Sequence, residues 1–274
     1  SASRPDLQGA LKDGARGATA GRGRLRKALV VAEVSLSLVL LVGAGLMVRS
    51  FLRLREVEPG FRPGGALMLR VSLPLPDSTF TDAVRSRIVS FFDRADARLG
   101  QLPGVTAVGS CNRIPLDGGG GDRLFNIEGQ TVAPGEQPPD AQNRIATPGW
   151  FAAMGIPLRR GRLLAASDDL AAPPVVVVNQ AFVDKFFPDR DPLGKRISLG
   201  ALGKKEFPWA AIVGVVGNVR NFGLHLPPEP TMYWPLAQSR DAPSMSIVAR
   251  TSGDPAALLG AARAAMAEVD AQQP

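Results

Sequence analysis

Cysteine, histidine and tyrosine each occur once in the 274 residues. The lone Cys111 excludes an intrachain disulfide and any cysteine-built metal cluster. It ends an apolar run, where a buried inert thiol is the expectation. A Ser-His-Asp arrangement would have to use His225, which lies among Leu224, Leu226, Pro227 and Pro228. No carboxylates cluster around it for a zinc site, so it reads as a loop histidine. Aromatics are 6% of the chain and charged residues 21%. Glycine (30) and proline (24) are abundant and imply many turns, short of the level of a disordered low-complexity chain. The single cysteine does not set the compartment, because a chain of this length can bury a core without disulfides.

The net charge of +7 is unevenly spread. Residues 1–27 hold seven basic side chains (Arg4, Lys12, Arg16, Arg22, Arg24, Arg26, Lys27) against Asp6 and Asp13, a net +5 that leaves +2 for the rest. A nucleic-acid binder needs its basic residues grouped on the folded part with aromatics among them. That pattern is missing, so nucleic acid is not an expected partner.

One long apolar run is present. Ala28–Val48 (ALVVAEVSLSLVLLVGAGLMV) contains a single charge, Glu33. Its length matches the ~20 residues that cross a hydrocarbon core of ~30 Å. Arginines and lysine flank both ends. The run is longer than a signal-peptide core and has no small-residue cleavage site. It lacks the polar stripe of a surface helix. Membrane lipid is therefore an expected partner. Lysine and arginine number six in residues 8–27 and four in 49–68, which favours an N-terminus inside and the remainder outside. Glu33 is a candidate intramembrane polar contact, with snorkelling toward Arg26 or Lys27 as the alternative. Ser35, Ser37, Gly43 and Gly45 permit close helix packing.

Residues 1–27 read as a basic cytoplasmic linker, 28–48 as the span, and 51–65 as a connector. Ala66–Leu73 alternates as a strand with Leu67, Leu69, Val71 and Leu73 on one face. A helix is expected over Thr79–Leu99, capped by Ser78 or Thr79, with Val84, Ile88, Phe91, Phe92, Ala95 and Leu99 as its stripe. Gly100 ends it, and a strand over Val105–Cys111 follows. Near the other end, Ser244–Arg250 alternates and Asp254-Pro255 opens a helix with Leu258, Leu259, Ala262, Met266 and Val269 inward. A further strand is expected after Pro274. The fold class is α+β: a transmembrane helix, then a split β-α-β, ferredoxin-like subdomain (49–115 and 242–274) with a mostly-β insertion (116–241). The insertion is expected to hold strands over 124–128, 143–146, 175–178, 196–199, 210–216 and 231–235, and helical pieces over 148–154 and 180–187.

No phosphate-binding GxxxxGK[ST] occurs, and Gly194-Lys195-Arg196 reads as a turn ahead of a strand. Gly118–Gly121 reads as a loop. Trp150-Phe151 and Met232-Tyr233-Trp234 read as core. No catalytic residue, cofactor or metal site is expected, and the chain is not expected to be an enzyme.

Four stretches support a family resemblance: LVVAEVSLSLVLLVGAGLMVRSF (29–51), PGWFAAMGIPLRRGR (148–162), VVVVNQAFVDKFFPDRDPLGKRI (175–197) and WAAIVGVVGNVRNFGL (209–224). They resemble MacB-like ABC transporter permeases of the FtsX family, and residues 6–29 resemble the linker of the duplicated, acidobacterial-type members. The resemblance implies a periplasmic porter-like domain with a β insertion, three later spans, a separate ATPase subunit, and a homodimer or second permease half. It further implies a bacterial inner-membrane location and coupling of ATP-driven motion to substrate export. The alternative is a membrane-anchored sensor or binding module without transport. A tethered hydrolase working through His225 is a third reading.

Overall fold

The computed structural model describes residues 7–74, 81–130, 132–133, 135–200, 207–239 and 242–270, with side chains from Arg26 onward. It divides into two units, Ser1–Val57 and Glu58–Pro274.

The first unit is one helix, α1 (Leu7–Glu56). Within it, Arg26–Glu56 holds the one candidate span among the described residues. The backbone is thus helical through most of the stretch read as linker and through the first part of the connector. Helix propagation needs no apolar period, and Ala, Leu, Arg and Lys all favour it. Pro59 lies three residues beyond the end.

The second unit is mixed α/β, as read from the sequence. Its first strand, β1 (Ala66–Ser72), leads to α2 (Asp82–Gly100) and β2 (Val105–Cys111). The expected capping residues Ser78 and Thr79 lie outside the described residues. The observed cap is Thr81, whose hydroxyl accepts from the Val84 N–H at 3.2 Å. β3 (Asp122–Ile127), β4 (Asp140–Ala146), α3 (Trp150–Met154) and β5 (Leu158–Gly161) follow. After them come β6 (Val175–Asn179), α4 (Gln180–Phe186), β7 (Arg196–Leu199), β8 (Ala210–Val216), β9 (Thr231–Pro235), β10 (Ser244–Thr251) and α5 (Leu259–Val269). A 3-10 turn over Pro255–Leu258 precedes α5, with Asp254 accepting from the Ala256 N–H.

β10 lies between β1 and β2 and is antiparallel to both. The strands flanking α2 are therefore parallel with a third strand between them, a split β-α-β unit. On one face, α2 and α5 cover Val71, Met245 and Ile247 with Phe91, Phe92, Leu99 and Met266. Leu259 faces solvent instead of the core, and Ala265 takes the inward place. The 3-10 turn shifts the helical phase after Leu258. On the other face, Trp150 and Phe151 of α3 pack with Cys111 and Val248.

The remaining strands close on themselves. β4 pairs with β3, β3 with β7, β7 with β8, β8 with β6, β6 with β9, and β9 returns to β4. The four valines of β6 alternate between two cores, Val175 and Val177 to one and Val176 and Val178 to the other. β5 was not read from the sequence. All four of its residues are exposed and among the described residues it pairs with β8 alone, so it has no apolar alternation to betray it.

Candidate functional site

Among the described residues, the side chains singled out from the sequence are dispersed over the fold. Cys111 is buried, and loss of solvation pushes its thiol up to about 11. His225 is exposed in a turn beside Gly223. Gly194 adopts φ +76 in a turn into β7, and Arg196 is paired with Glu128. Trp150, Phe151, Met232 and Tyr233 are core. Among the described residues no group of three or more His, Cys, Asp or Glu is placed to hold a metal. Glu33 is exposed on α1.

One titratable group is built into the packing. Asp96 of α2 accepts from the Ser110 and Thr147 hydroxyls, each at 2.7 Å, and so ties α2 to the ends of β2 and β4. Desolvation raises its carboxyl to about 6, against the opposing effect of those two hydrogen bonds. The folded chain therefore takes up this proton before the unfolded chain does. The group adds stability as pH falls from about 6 toward the ordinary carboxylate range, and the gain is absent above 6. The full shift corresponds to about 3 kcal/mol. Thermal melts from pH 7.5 to 4 should show wild type gaining relative to Asp96→Asn; parallel curves would contradict this.

Close backbone approaches converge where the chain enters the second unit. Gly60 adopts φ +82, and a Cβ there would sit 1.8 Å from the Asn218 carbonyl oxygen, so only glycine lets the connector lie this close. The Arg220 N–H donates to the Pro59 carbonyl at 2.9 Å and the Arg62 N–H to the Met154 carbonyl at 2.8 Å. The Thr251 N–H donates to the Gly65 carbonyl at 2.9 Å. Arg250 of β10 completes the joint. Its Nε donates to the Ala153 carbonyl at 2.5 Å, and its two terminal nitrogens to the Gly64 and Arg62 carbonyls at 2.8 Å each. The residue is buried, and desolvation and then Arg62 lower its pKa. A planar fork suits this task, because it reaches three carbonyls from one side chain.

Asparagines carry the joint deeper. Asn218 Oδ1 accepts from the Ala181 N–H at 2.7 Å, which ties the connector's neighbour to α4. Asn179 caps α4 through Phe182 and accepts from the Thr231 N–H at 2.9 Å, while its amide donates to the Glu229 carbonyl. Connector residues 59–65 are thus bonded to α3, the 217–220 segment and β10. Sequence reasoning missed Asn179, Asn218 and Arg250. The first two lie inside stretches that carried the resemblance, and Arg250 looked like the polar end of a strand.

Fold and joint together define a mixed α/β domain that follows a helix long and apolar enough to cross a membrane. Residues 28–268 match the model of the MacB-like periplasmic core domain. The chain belongs to that family. Solved structures similar to it include the periplasmic region of MacB from Actinobacillus actinomycetemcomitans. That match has 14% identity, covers 79% of this chain and 89% of that one, and has a TM-score of 0.48. The extracellular domain of the ABC-type transporter YknZ from Gram-positive bacteria matches at 14% identity, 74% and 91% coverage and a TM-score of 0.44. A domain of a putative permease protein from Porphyromonas gingivalis matches at 17% identity, 64% and 77% coverage and a TM-score of 0.41. No curated protein matches the chain.

Proposed function

We propose that this chain is the first span and extracytoplasmic domain of an ABC transporter permease subunit. In this reading α1 crosses a bacterial inner membrane with its N-terminus in the cytoplasm, and the second unit works outside. A separate ATPase subunit drives the spans, and a second permease half or a second copy completes the assembly. The domain relays that motion to a substrate and performs no catalysis itself. Residues 49–115 with 242–274, and 116–241, act as its two working parts.

The observation that carries the reading is the match of residues 28–268 to the MacB-like periplasmic core domain together with a helix able to span a membrane, and the joint supports the relay. A connector bonded at several points to three parts of the body moves that body with it, whereas a loose linker would absorb the displacement. The test uses the full-length permease with its ATPase in proteoliposomes. Spin labels at the exposed position 159 of both halves should report an ATP-dependent change in distance. Inserting four Gly-Ser residues after Glu58 should abolish that change while ATP hydrolysis continues. An unaltered response after the insertion would refute the relay. Topology is checked by labelling Arg159→Cys in intact cells from outside, since buried Cys111 gives little background.

A further inference from the structure

A basic surface with exposed leucines surrounds the point where the chain enters the second unit. The 217–226 segment is its hub. The Arg220 N–H donates to the Pro59 carbonyl at 2.9 Å. The Gly217 N–H donates to the carbonyl of Pro157, the residue before Leu158, at 2.8 Å. The Leu116 N–H donates to the Asn221 carbonyl at 2.8 Å, and the Arg220 guanidinium donates to the Leu226 carbonyl. Leu116, Leu158 and Leu226 are thereby gathered around the entry, with 46%, 42% and 40% of their surfaces in solvent. One exposed leucine is ordinary, whereas a group of them marks a contact surface. Leu116 also adopts φ 65, the one positive φ outside glycine among the described residues. That backbone is strained for a bulky side chain, and here it belongs to a leucine left in solvent.

The charge of this surface has essentially one sign. Segments 58–65, 155–162 and 217–228 contain five arginines and one carboxylate, Glu58. Arg160 pairs with Asp191 and Arg162 with Asp168. Arg62, Arg159 and Arg220 pair with no carboxylate among the described residues. The helix before the entry sets the level of this face. Arg26–Glu56 has 31 residues. At 1.5 Å per residue that is about 46 Å, against about 40–45 Å for a bilayer with its headgroups. With Arg26 at one membrane surface, Glu56 is at the other, and the second unit begins two residues later.

We infer that this entry face docks on the anionic phospholipid headgroups of the membrane that α1 crosses, an inference that rests on the proposed span. Arg62, Arg159 and Arg220 meet lipid phosphates, and Leu116, Leu158 and Leu226 enter the headgroup layer. Basic residues beside apolar ones suit that layer, because it offers negative charge and a partly dry surface together. Docking gives the domain a resting position on the lipid.

The test reconstitutes the full chain with His225→Cys in vesicles of phosphatidylcholine, with or without phosphatidylglycerol. His225 is exposed, and buried Cys111 gives little background. An impermeant thiol-reactive fluorophore is attached from outside, and lipid spin-labelled at the headgroup quenches it on docking. Strong quenching is expected with phosphatidylglycerol at about 0.1 M salt, falling to the phosphatidylcholine level at about 1 M. Arg159→Gln should lower the docked-to-free ratio about fivefold, and the double variant with Arg62→Gln about 25-fold. Leu116→Asn suits the left-handed backbone better, so it should melt no lower than wild type yet dock about fivefold more weakly. Equal quenching with and without phosphatidylglycerol, or variants that dock like wild type, in a chain that resists alkaline carbonate extraction overturns the docking alone. Extraction of the chain by carbonate overturns the span and the docking with it.

Discussion

Replacing Arg250 by methionine is expected to lower the melting temperature of the second unit by about 10 °C and to release the connector. The guanidinium donates to the carbonyls of Arg62, Gly64 and Ala153. Methionine fills much of the same volume and donates nothing, so the Ala153 carbonyl loses its partner in a buried place and the Arg62 and Gly64 carbonyls lose theirs in part-buried ones. The unmet buried acceptor costs about 1–3 kcal/mol and each part-buried one about 1 kcal/mol, for a sum of about 3–5 kcal/mol. For a domain of this size that is about 10 °C. Hydrogen exchange gives the local reading. The Arg62 and Thr251 amides, bonded to Met154 and Gly65, should lose protection before the strands of the closed ring do. Arg250→Lys should fall between, because an ammonium is a compact donor that cannot span three carbonyls as a fork does. Unchanged protection at both amides in Arg250→Met would show that the connector is held by other contacts.

Gly109→Ala should destabilise by about 3 kcal/mol or more. A Cβ at this position would lie 2.1 Å from the Trp150 nitrogen and 2.3 Å from the Gly149 carbonyl carbon. Both are backbone atoms, so no side-chain rotation relieves the overlap. The start of α3 must move off β2. That helix carries the Ala153 and Met154 carbonyls that receive Arg250 and Arg62. The strain therefore reaches the connector joint, and the effects of Gly109→Ala and Arg250→Met should not add. A double variant as destabilised as the sum of the two singles would show that α3 and the joint are independent.

How far these features were legible depends on how local their causes are. The stripe of α2 was readable because a 3.6-residue period places Ile88, Phe92, Ala95 and Leu99 on one side whatever they meet. β7, β8 and β9 have the same ends in the structure as in the sequence reading, since apolar runs bounded by turn residues mark them directly. Leu259 was misplaced because a 3-10 turn alters the phase without any change in composition. β5 left no trace because its burial pattern is uniform. The joint was illegible for a different reason. Arg62, Asn218 and Arg250 are far apart in the chain, and each taken alone is an unremarkable polar residue.

Composition and periodicity alone determined the apolar helix and the α+β class. These rest on counts and on spacings of a few residues, where the physics is local. Tertiary structure decided that β9 returns to β4, that glycines let backbone meet backbone, and that one arginine holds three distant carbonyls. Those outcomes depend on which surfaces meet across more than a hundred residues of chain, and a buried hydrogen bond has no partner to name until the chain has closed around it.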